Sequence, residues 1–158
     1  MEEKNIRDDM KEQSEMTTQL LLSIFDNMDC LTQVDEYGRV FVGYQGITFL
    51  CMVCNSYIRF VDPCWFSVNL DTDSFYDFAE AVNKTNRSTW TINMFYERSG
   101  NNETILVSTA RDILLSPVLP NLEGYVRMVF KTLIDARESF YTTFERMKKG
   151  RRNPPSLQ

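Results

Sequence analysis

Apolar residues recur with a period of two along the middle of the chain, from Val34 to Leu70. The runs are rich in Val, Ile, Phe and Tyr, which suit a pleated, half-buried surface, and glycines separate several of them. Gly46 adopts a positive φ at little cost. The pattern therefore predicts a tight hairpin that joins strands Arg39–Tyr44 and Ile47–Val53.

The same alternation assigns the side chains of these strands to two faces of a sheet. One face carries Val40, Val42, Tyr44, Ile47, Phe49, Cys51 and Val53. Leu50 and Met52 point to the opposite face, as does Phe41, so the second strand is apolar on both sides. A third strand, 57–62, is interrupted by Pro63, and extended chain or an edge strand follows.

Apolar residues three and four positions apart predict helices near both ends of the chain. Ser14 or Thr17 caps the first helix. The last helix, Leu122–Lys149, is capped by Asn121 and ends at Gly150. The predicted buried faces are Leu20, Leu21, Ile24, Phe25 and Met28 in the first helix, and Val126, Val129, Phe130, Leu133, Phe140, Phe144 and Met147 in the last.

Between these helices the pattern predicts a short helix and a second hairpin. The helix starts with a cap at Ser74 and gives way to a loop over residues 83–88. Strands follow at residues 89–97 and 103–109. Two prolines make residues 110–121 a connector, with a helical turn as the alternative for part of it.

The elements have the order α-β-β-β-α-β-β-α, which is the α+β class, and no repeat or linker divides them. A chain of 158 residues is long enough for one hydrophobic core. We expect a polar N-terminal tail over residues 1–13, either frayed or extending the first helix. A single α+β domain follows over residues 14–149, and a disordered C-terminal tail over residues 150–158.

The formal net charge of −5 argues against a nucleic-acid partner, because a phosphate backbone requires a basic face. The charge is uneven: residues 1–16 hold six acids and three bases, whereas residues 145–158 hold one acid and five bases. We interpret the basic end as solvated charge, with an anionic surface as the alternative partner. There is no apolar signal region and no membrane-spanning run, so we expect a cytoplasmic protein without a membrane partner.

Four phrases occur in the same order as these elements: VDEYGRVFVGYQGITFLCMV, then Pro-Cys-Trp-Phe, then AVNKTN before TWTINMFY. Together with the element order, they resemble the fold shared by type III secretion chaperones and the bacterial YbjN-type proteins. The resemblance spans roughly Thr17 to Lys149. It implies a five-stranded, mainly antiparallel sheet with the first and last helices packed on one face, and a capacity to dimerise or bind a peptide. It carries over no catalytic residue.

The sequence contains no histidine, which excludes Ser–His and Cys–His nucleophile pairs. Cys51 and Cys54 have the spacing of a redox dithiol or half a zinc site. Strand positions three apart, however, lie ~10 Å from each other on opposite faces, beyond the ~7 Å Cα limit of a disulfide. We interpret both as small buried hydrophobes. The acids around Ser74 do not form a calcium loop, because Phe75 takes a ligand position. We predict no metal and no cofactor.

We predict a non-enzymatic protein-binding module, chaperone-like in one form, that holds a partner protein or peptide on an apolar sheet face or a sheet edge. The predicted partner-binding residues point away from the helix-covered face: Phe41, Leu50, Met52, Phe95 and Leu106. Either the middle helix covers them, or they are exposed to a partner, with a homodimer first. The alternative function is an enzyme that uses carboxylate or thiol chemistry.

Overall fold

The computed structural model describes residues 2–54, 57–70, 72–89, 91–100, 103–116 and 118–152. In these residues the chain forms helices α1 (Glu2–Asn27), α2 (Thr72–Ser88) and α3 (Leu122–Arg152), and strands β1 (Leu31–Val34), β2 (Val40–Tyr44), β3 (Ile47–Val53), β4 (Ile58–Asn69), β5 (Asn93–Arg98) and β6 (Thr104–Ile113).

The strands form a six-stranded sheet in the order β1-β2-β3-β4-β6-β5. The pairs β1–β2, β2–β3, β3–β4 and β5–β6 are antiparallel. The prediction of five strands was wrong because it left out β1. All four residues of β1 are exposed, so this strand carries no alternation of buried and exposed positions that a sequence pattern could reveal.

The β2–β3 hairpin is confirmed. Tyr44 pairs with Ile47 across a two-residue turn, and both turn residues, Gln45 and Gly46, have positive φ angles of 52° and 78°. Two consecutive positive φ angles are typical of the type I′ turn, whose twist matches that of the flanking strands.

The predicted interruption at Pro63 was wrong, because β4 continues through it to Asn69. The chain bulges there instead. Cys64 has a φ of 47°, and its backbone N–H donates to the Ser108 hydroxyl at 3.0 Å. The bulge takes the Cys64 amide out of the strand ladder, and a side-chain acceptor on β6 satisfies it instead.

Several element ends also differ from the prediction. α1 begins at Glu2, so neither Ser14 nor Thr17 caps it, although the predicted alternative that residues 2–13 extend the first helix is confirmed. α2 begins at Thr72, ahead of the predicted cap Ser74. α3 runs through Gly150 to Arg152, and residues 153–158, the rest of the predicted tail, lie outside the described residues. The predicted cap at Asn121 is confirmed by the Gly124 amide, which donates to the Asn121 Oδ1 at 2.9 Å.

Two predicted loops belong to regular structure. α2 includes residues 83–88, and β6 extends to Ile113 in place of the predicted connector or helical turn. The Asn86 amide explains the first difference. It accepts from the Met94 N–H at 2.7 Å and donates to the Met94 carbonyl at 2.9 Å. A residue type that is typical of loops therefore forms a contact between α2 and β5.

The chain divides into two compact units. Unit 1 comprises residues 1–61 and 111–130, and unit 2 comprises residues 62–110 and 131–158. The elements β4, β6 and α3 each contribute residues to both units. The predicted single domain over residues 14–149 stays a prediction.

The core of unit 1 is centred on Phe130 of α3, which is fully buried. The rings of Tyr44, Phe49, Phe60 and Phe25 lie 4.8, 4.7, 5.5 and 6.0 Å from it, centroid to centroid. These rings come from three strands and from α1. Both α1 and the start of α3 therefore pack on one face of the unit 1 strands, the inner face, as predicted.

Phe130→Ala should destabilise the protein by about 3–5 kcal/mol, because it removes a ring that four others contact and leaves a cavity. Urea unfolding followed by circular dichroism measures this free energy. Thr142→Ala, an exposed position on the same helix, is the matched control and should change it by less than about 0.5 kcal/mol. A similar loss in both variants would contradict the central role of Phe130.

Candidate protein-binding surfaces

Three of the predicted partner-binding residues lie together on the face of unit 1 opposite the inner face. Phe41 pairs directly with Leu50, and Met52 pairs with Arg59 on the next strand. Directly paired residues project to the same side of a sheet. Phe41, Leu50 and Met52 are each half-buried. We call this set, with Arg59, the outer face.

Two arginines flank the apolar part of the outer face, and each is paired with an aspartate. Arg59 donates from Nε and Nη2 to the Asp112 carboxylate, both at 2.7 Å. This hydrogen bonding raises the pKa of Arg59, with burial opposing it. Arg39 donates to Asp35 at 2.6 Å and lies 6.0 Å from the centroid of the Phe41 ring. An apolar centre with a charged, hydrogen-bonded rim is the usual anatomy of a protein interface.

The neighbouring edge strand, β1, is open. Leu31 is 86% exposed and Val34 is 45% exposed. The Asp35 N–H donates to the Arg39 carbonyl at 3.0 Å, towards β2. Because successive amides of a strand point to opposite sides, the N–H of Val34 points away from the sheet. The sequence LTQV contains none of the charged or proline residues that usually protect an edge.

Unit 2 contains the other two predicted residues, Phe95 and Leu106. Phe95 is 39% exposed. Leu106 pairs with Glu97, two positions along from Phe95, so the two side chains share a face. α2 packs on the other face, since the Phe78 ring lies 5.3 Å from that of Tyr96. Within unit 2 the middle helix therefore does not cover Phe95 and Leu106.

The edge of β5 differs from that of β1. Both backbone polar groups of Met94 are bonded to the side-chain amide of Asn86 on α2. Glu97 and Arg98, at the end of β5, are charged and exposed. A helix and charged side chains thus protect this edge in the ways that natural sheets use.

The most buried ionisable group of unit 2 is Asp62, which is fully buried and accepts two hydrogen bonds from the guanidinium of Arg137. Burial raises the pKa of the Asp62 carboxyl, and the hydrogen bonds and charge of Arg137 oppose that rise. The guanidinium carbon lies 5.5 Å from the Trp65 ring centroid, and the Trp65 indole N–H donates to the Thr109 hydroxyl at 3.0 Å. Each polar group has a partner, which is typical of a structural ion pair.

Arg137→Met should destabilise the protein by about 3–5 kcal/mol at neutral pH, because it leaves the Asp62 carboxylate buried without a partner. Protonation relieves that penalty: the carboxyl in the folded variant has a raised pKa, so the free energy of unfolding should increase as the pH falls towards about 4. Urea unfolding at several pH values measures both effects. The control Asp62→Leu/Arg137→Met removes both charges and should recover most of the loss; a double variant as unstable as Arg137→Met would contradict this account.

The cysteines are free thiols in the structure. Cys51 is fully buried on the inner face, and burial raises the pKa of its thiol well above the usual value. Cys54, beyond the end of β3, is half-buried, and its thiol lies 3.9 Å from the Met52 carbonyl. A thiol with a raised pKa is a poor nucleophile, because the thiolate is the reactive form. In the described part of the chain, no three acidic or cysteine side chains group as metal ligands.

Comparison with solved structures relates this geometry to a known fold. The chain matches the crystal structure titled YbjN, a putative transcription regulator from E. coli, with a TM-score of 0.53 over 84% of this chain and 92% of that chain. The chain has the YbjN fold. The sequence identity is only 10%, so the match shows the fold alone. No protein-family model and no curated protein sequence matches the chain.

The match confirms the resemblance to the YbjN-type fold, apart from the strand count; the resemblance to type III secretion chaperones stays a prediction. The open edge of β1 was not predicted, although the absence of charge and proline in LTQV is a signal that could have found it. Across the described residues, no helix is both long and apolar enough to cross a bilayer.

Proposed function

We propose that this protein is a non-enzymatic, cytosolic protein-binding module that holds an extended partner segment along β1 and the outer face. The observation that carries the proposal is the exposed, uncharged edge of β1. An edge strand offers unpaired N–H and C=O groups, and a partner strand that pairs with them extends the sheet. The chaperone-like role that the resemblance implies is one form of this function.

The outer face can supply the binding specificity that the β1 edge alone lacks. Backbone hydrogen bonds give a strand-adding partner affinity, whereas alternate side chains give it specificity through pockets and apolar contacts. Leu31 and Gln33 pair with Gly43 and Phe41, so an added strand would continue the same face. The side chains of the added strand that project to the outer face would extend the apolar row of Phe41, Leu50 and Met52.

A second copy of the chain is the first candidate partner. Paired antiparallel about Gln33, two β1 strands would match Thr32 of each copy with Val34 of the other. The arrangement would be two-fold symmetric, as in most homodimers. This pairing would also place Leu31 of each copy opposite Asp35 of the other, so no two like charges would lie directly opposite each other.

Val34→Pro should abolish the dimer, because proline removes the N–H that points away from the sheet and leaves the β1–β2 hydrogen bonds in place. Light scattering should give the native protein a mass near twice 18.5 kDa and the variant a mass near 18.5 kDa. Val34→Thr keeps the N–H and is the matched control. A monomeric native protein, or a dimeric Val34→Pro variant, would contradict pairing through β1.

Charge placed on the outer face tests which of the two predicted surfaces is used. Gln33→Lys/Phe41→Lys should weaken the dimer at least about tenfold, because residue 33 of one copy would face residue 33 of the other, with residue 41 beside it on β2, and like charges would be directly opposed there. Phe95→Lys/Leu106→Lys, in unit 2, should leave it unchanged. Sedimentation equilibrium measures both dissociation constants, and circular dichroism checks that each variant is folded. The reverse result would assign the interface to unit 2.

The enzyme alternative receives little support from the described residues. The most buried carboxylate, Asp62, is fully hydrogen-bonded to Arg137, and the most buried thiol, Cys51, has a raised pKa. A catalytic acid or nucleophile needs an accessible reacting atom and a partner poised beside it. Neither group meets both conditions.

A further inference from the structure

The middle of α1 forms one wall of an open groove in unit 1. The other wall is the β1–β2 turn at Glu36, Tyr37 and Gly38, and Val53 at the end of β3 completes the lining of a volume of about 1110 Å³. The wall on α1 runs from Met10 to Gln19, a length of roughly 14 Å. An open groove of this length and volume suits a segment of polypeptide better than a small molecule, whose sites are usually enclosed and hold ~300–1,000 Å³.

Large apolar side chains are exposed on both walls of the groove. Met10 and Met16 on α1 are 38% and 68% exposed, and Tyr37 in the turn is 75% exposed. Methionine side chains are flexible and polarisable, and they are common on surfaces that accept apolar faces of differing shape. The apolar lining therefore favours an occupant that has an apolar side of its own.

The groove is also acidic. Glu12 and Glu15 on α1 and Glu36 in the turn line it, against a single base, Lys11. Lys11 lies 3.9 Å from Glu15, which leaves Glu12 and Glu36 without an ion-pair partner among the described residues. Carboxylates beside exposed apolar side chains complement lysine or arginine side chains that flank an apolar stripe.

We propose that this groove binds a basic, amphipathic helical segment of another protein. The apolar stripe of the segment contacts Met10, Met16 and Tyr37, and its lysines or arginines lie against Glu12 and Glu36. About ten residues of helix match the length of the α1 wall. The site is separate from the β1 edge, and it requires neither strand addition nor a dimer.

The probe is a fluorescein-labelled peptide of roughly 14 residues, made of leucine and lysine with the leucines at helical spacing. Fluorescence anisotropy with the full chain should show saturable binding that weakens as salt rises from about 50 to 500 mM, because exposed charge pairs are screened. Two comparison peptides define the chemistry: one with glutamate in place of lysine, and one of the same composition with scrambled order. Both should bind at least about tenfold more weakly.

Variants of the chain locate the binding. Glu12→Lys/Glu36→Lys should weaken binding of the leucine–lysine peptide about tenfold or more, and Met16→Ser/Tyr37→Ser should do so at unchanged charge. Glu97→Lys/Glu138→Lys makes the same charge change at exposed positions of unit 2 and should leave the affinity within about twofold, apart from the general effect of net charge. Val34→Pro should also leave it unchanged, which separates this site from the proposed β1 interface.

Four outcomes would overturn the proposal. The first is no binding at peptide concentrations up to about 100 μM, and the second is equal binding of the scrambled or the acidic peptide. The third is an equal loss of affinity in the unit 2 control, and the fourth is no loss of affinity in the groove variants. If the peptide does not bind but Glu12→Lys/Glu36→Lys changes the mass found by light scattering, the groove is instead an interface between copies of the chain.

Discussion

The packing of Phe130 among the rings of unit 1 determines which side of each strand remains for other contacts. Four aromatic rings from α1, β2, β3 and β4 lie within 6.0 Å of it, centroid to centroid. Because strand side chains alternate, fixing Phe49 and Phe60 against Phe130 also fixes Leu50 and Met52 on the opposite face. A one-residue slip of β3 would exchange the two sets, so the register that builds the core also builds the outer face.

The parts of this arrangement that a local pattern encodes could be predicted from the sequence. The alternation in β2 and β3 assigned Val40, Val42 and Phe49 to the core and Phe41 and Leu50 to the other face, and all three core residues are fully buried. The turn at Gln45 and Gly46 could be predicted for the same reason, because the positive φ angles that the turn requires favour particular residues such as glycine. By contrast, all four residues of β1 are exposed, and the strand is held mainly by its pairing with β2. A strand of that kind shows no alternation of apolar and polar residues from which it could be predicted.

Polar side chains that bind the backbone of another element explain two of the other errors. Asn86 is typical of a loop, yet its amide binds the backbone of Met94 and lies within α2. Pro63 is typical of a strand end, yet β4 continues because the Ser108 hydroxyl, 44 positions from Cys64, accepts the bulge amide. In both places a side chain substitutes for a missing backbone partner. Local propensity does not contain that information, because the substitution depends on tertiary contacts.

The two candidate surfaces of unit 1 differ in the kind of interaction that they offer. The β1 edge offers backbone groups, which are uncharged and are nearly independent of the partner's sequence, so specificity must come from the outer face beside it. The α1 groove offers carboxylates and exposed apolar side chains, and specificity there comes from charge and from helical spacing in the partner. Salt therefore acts on one surface and hardly on the other. A partner with an extended stretch and a basic helix could engage both at once, and the second contact would then be intramolecular, which strengthens binding without any new interface.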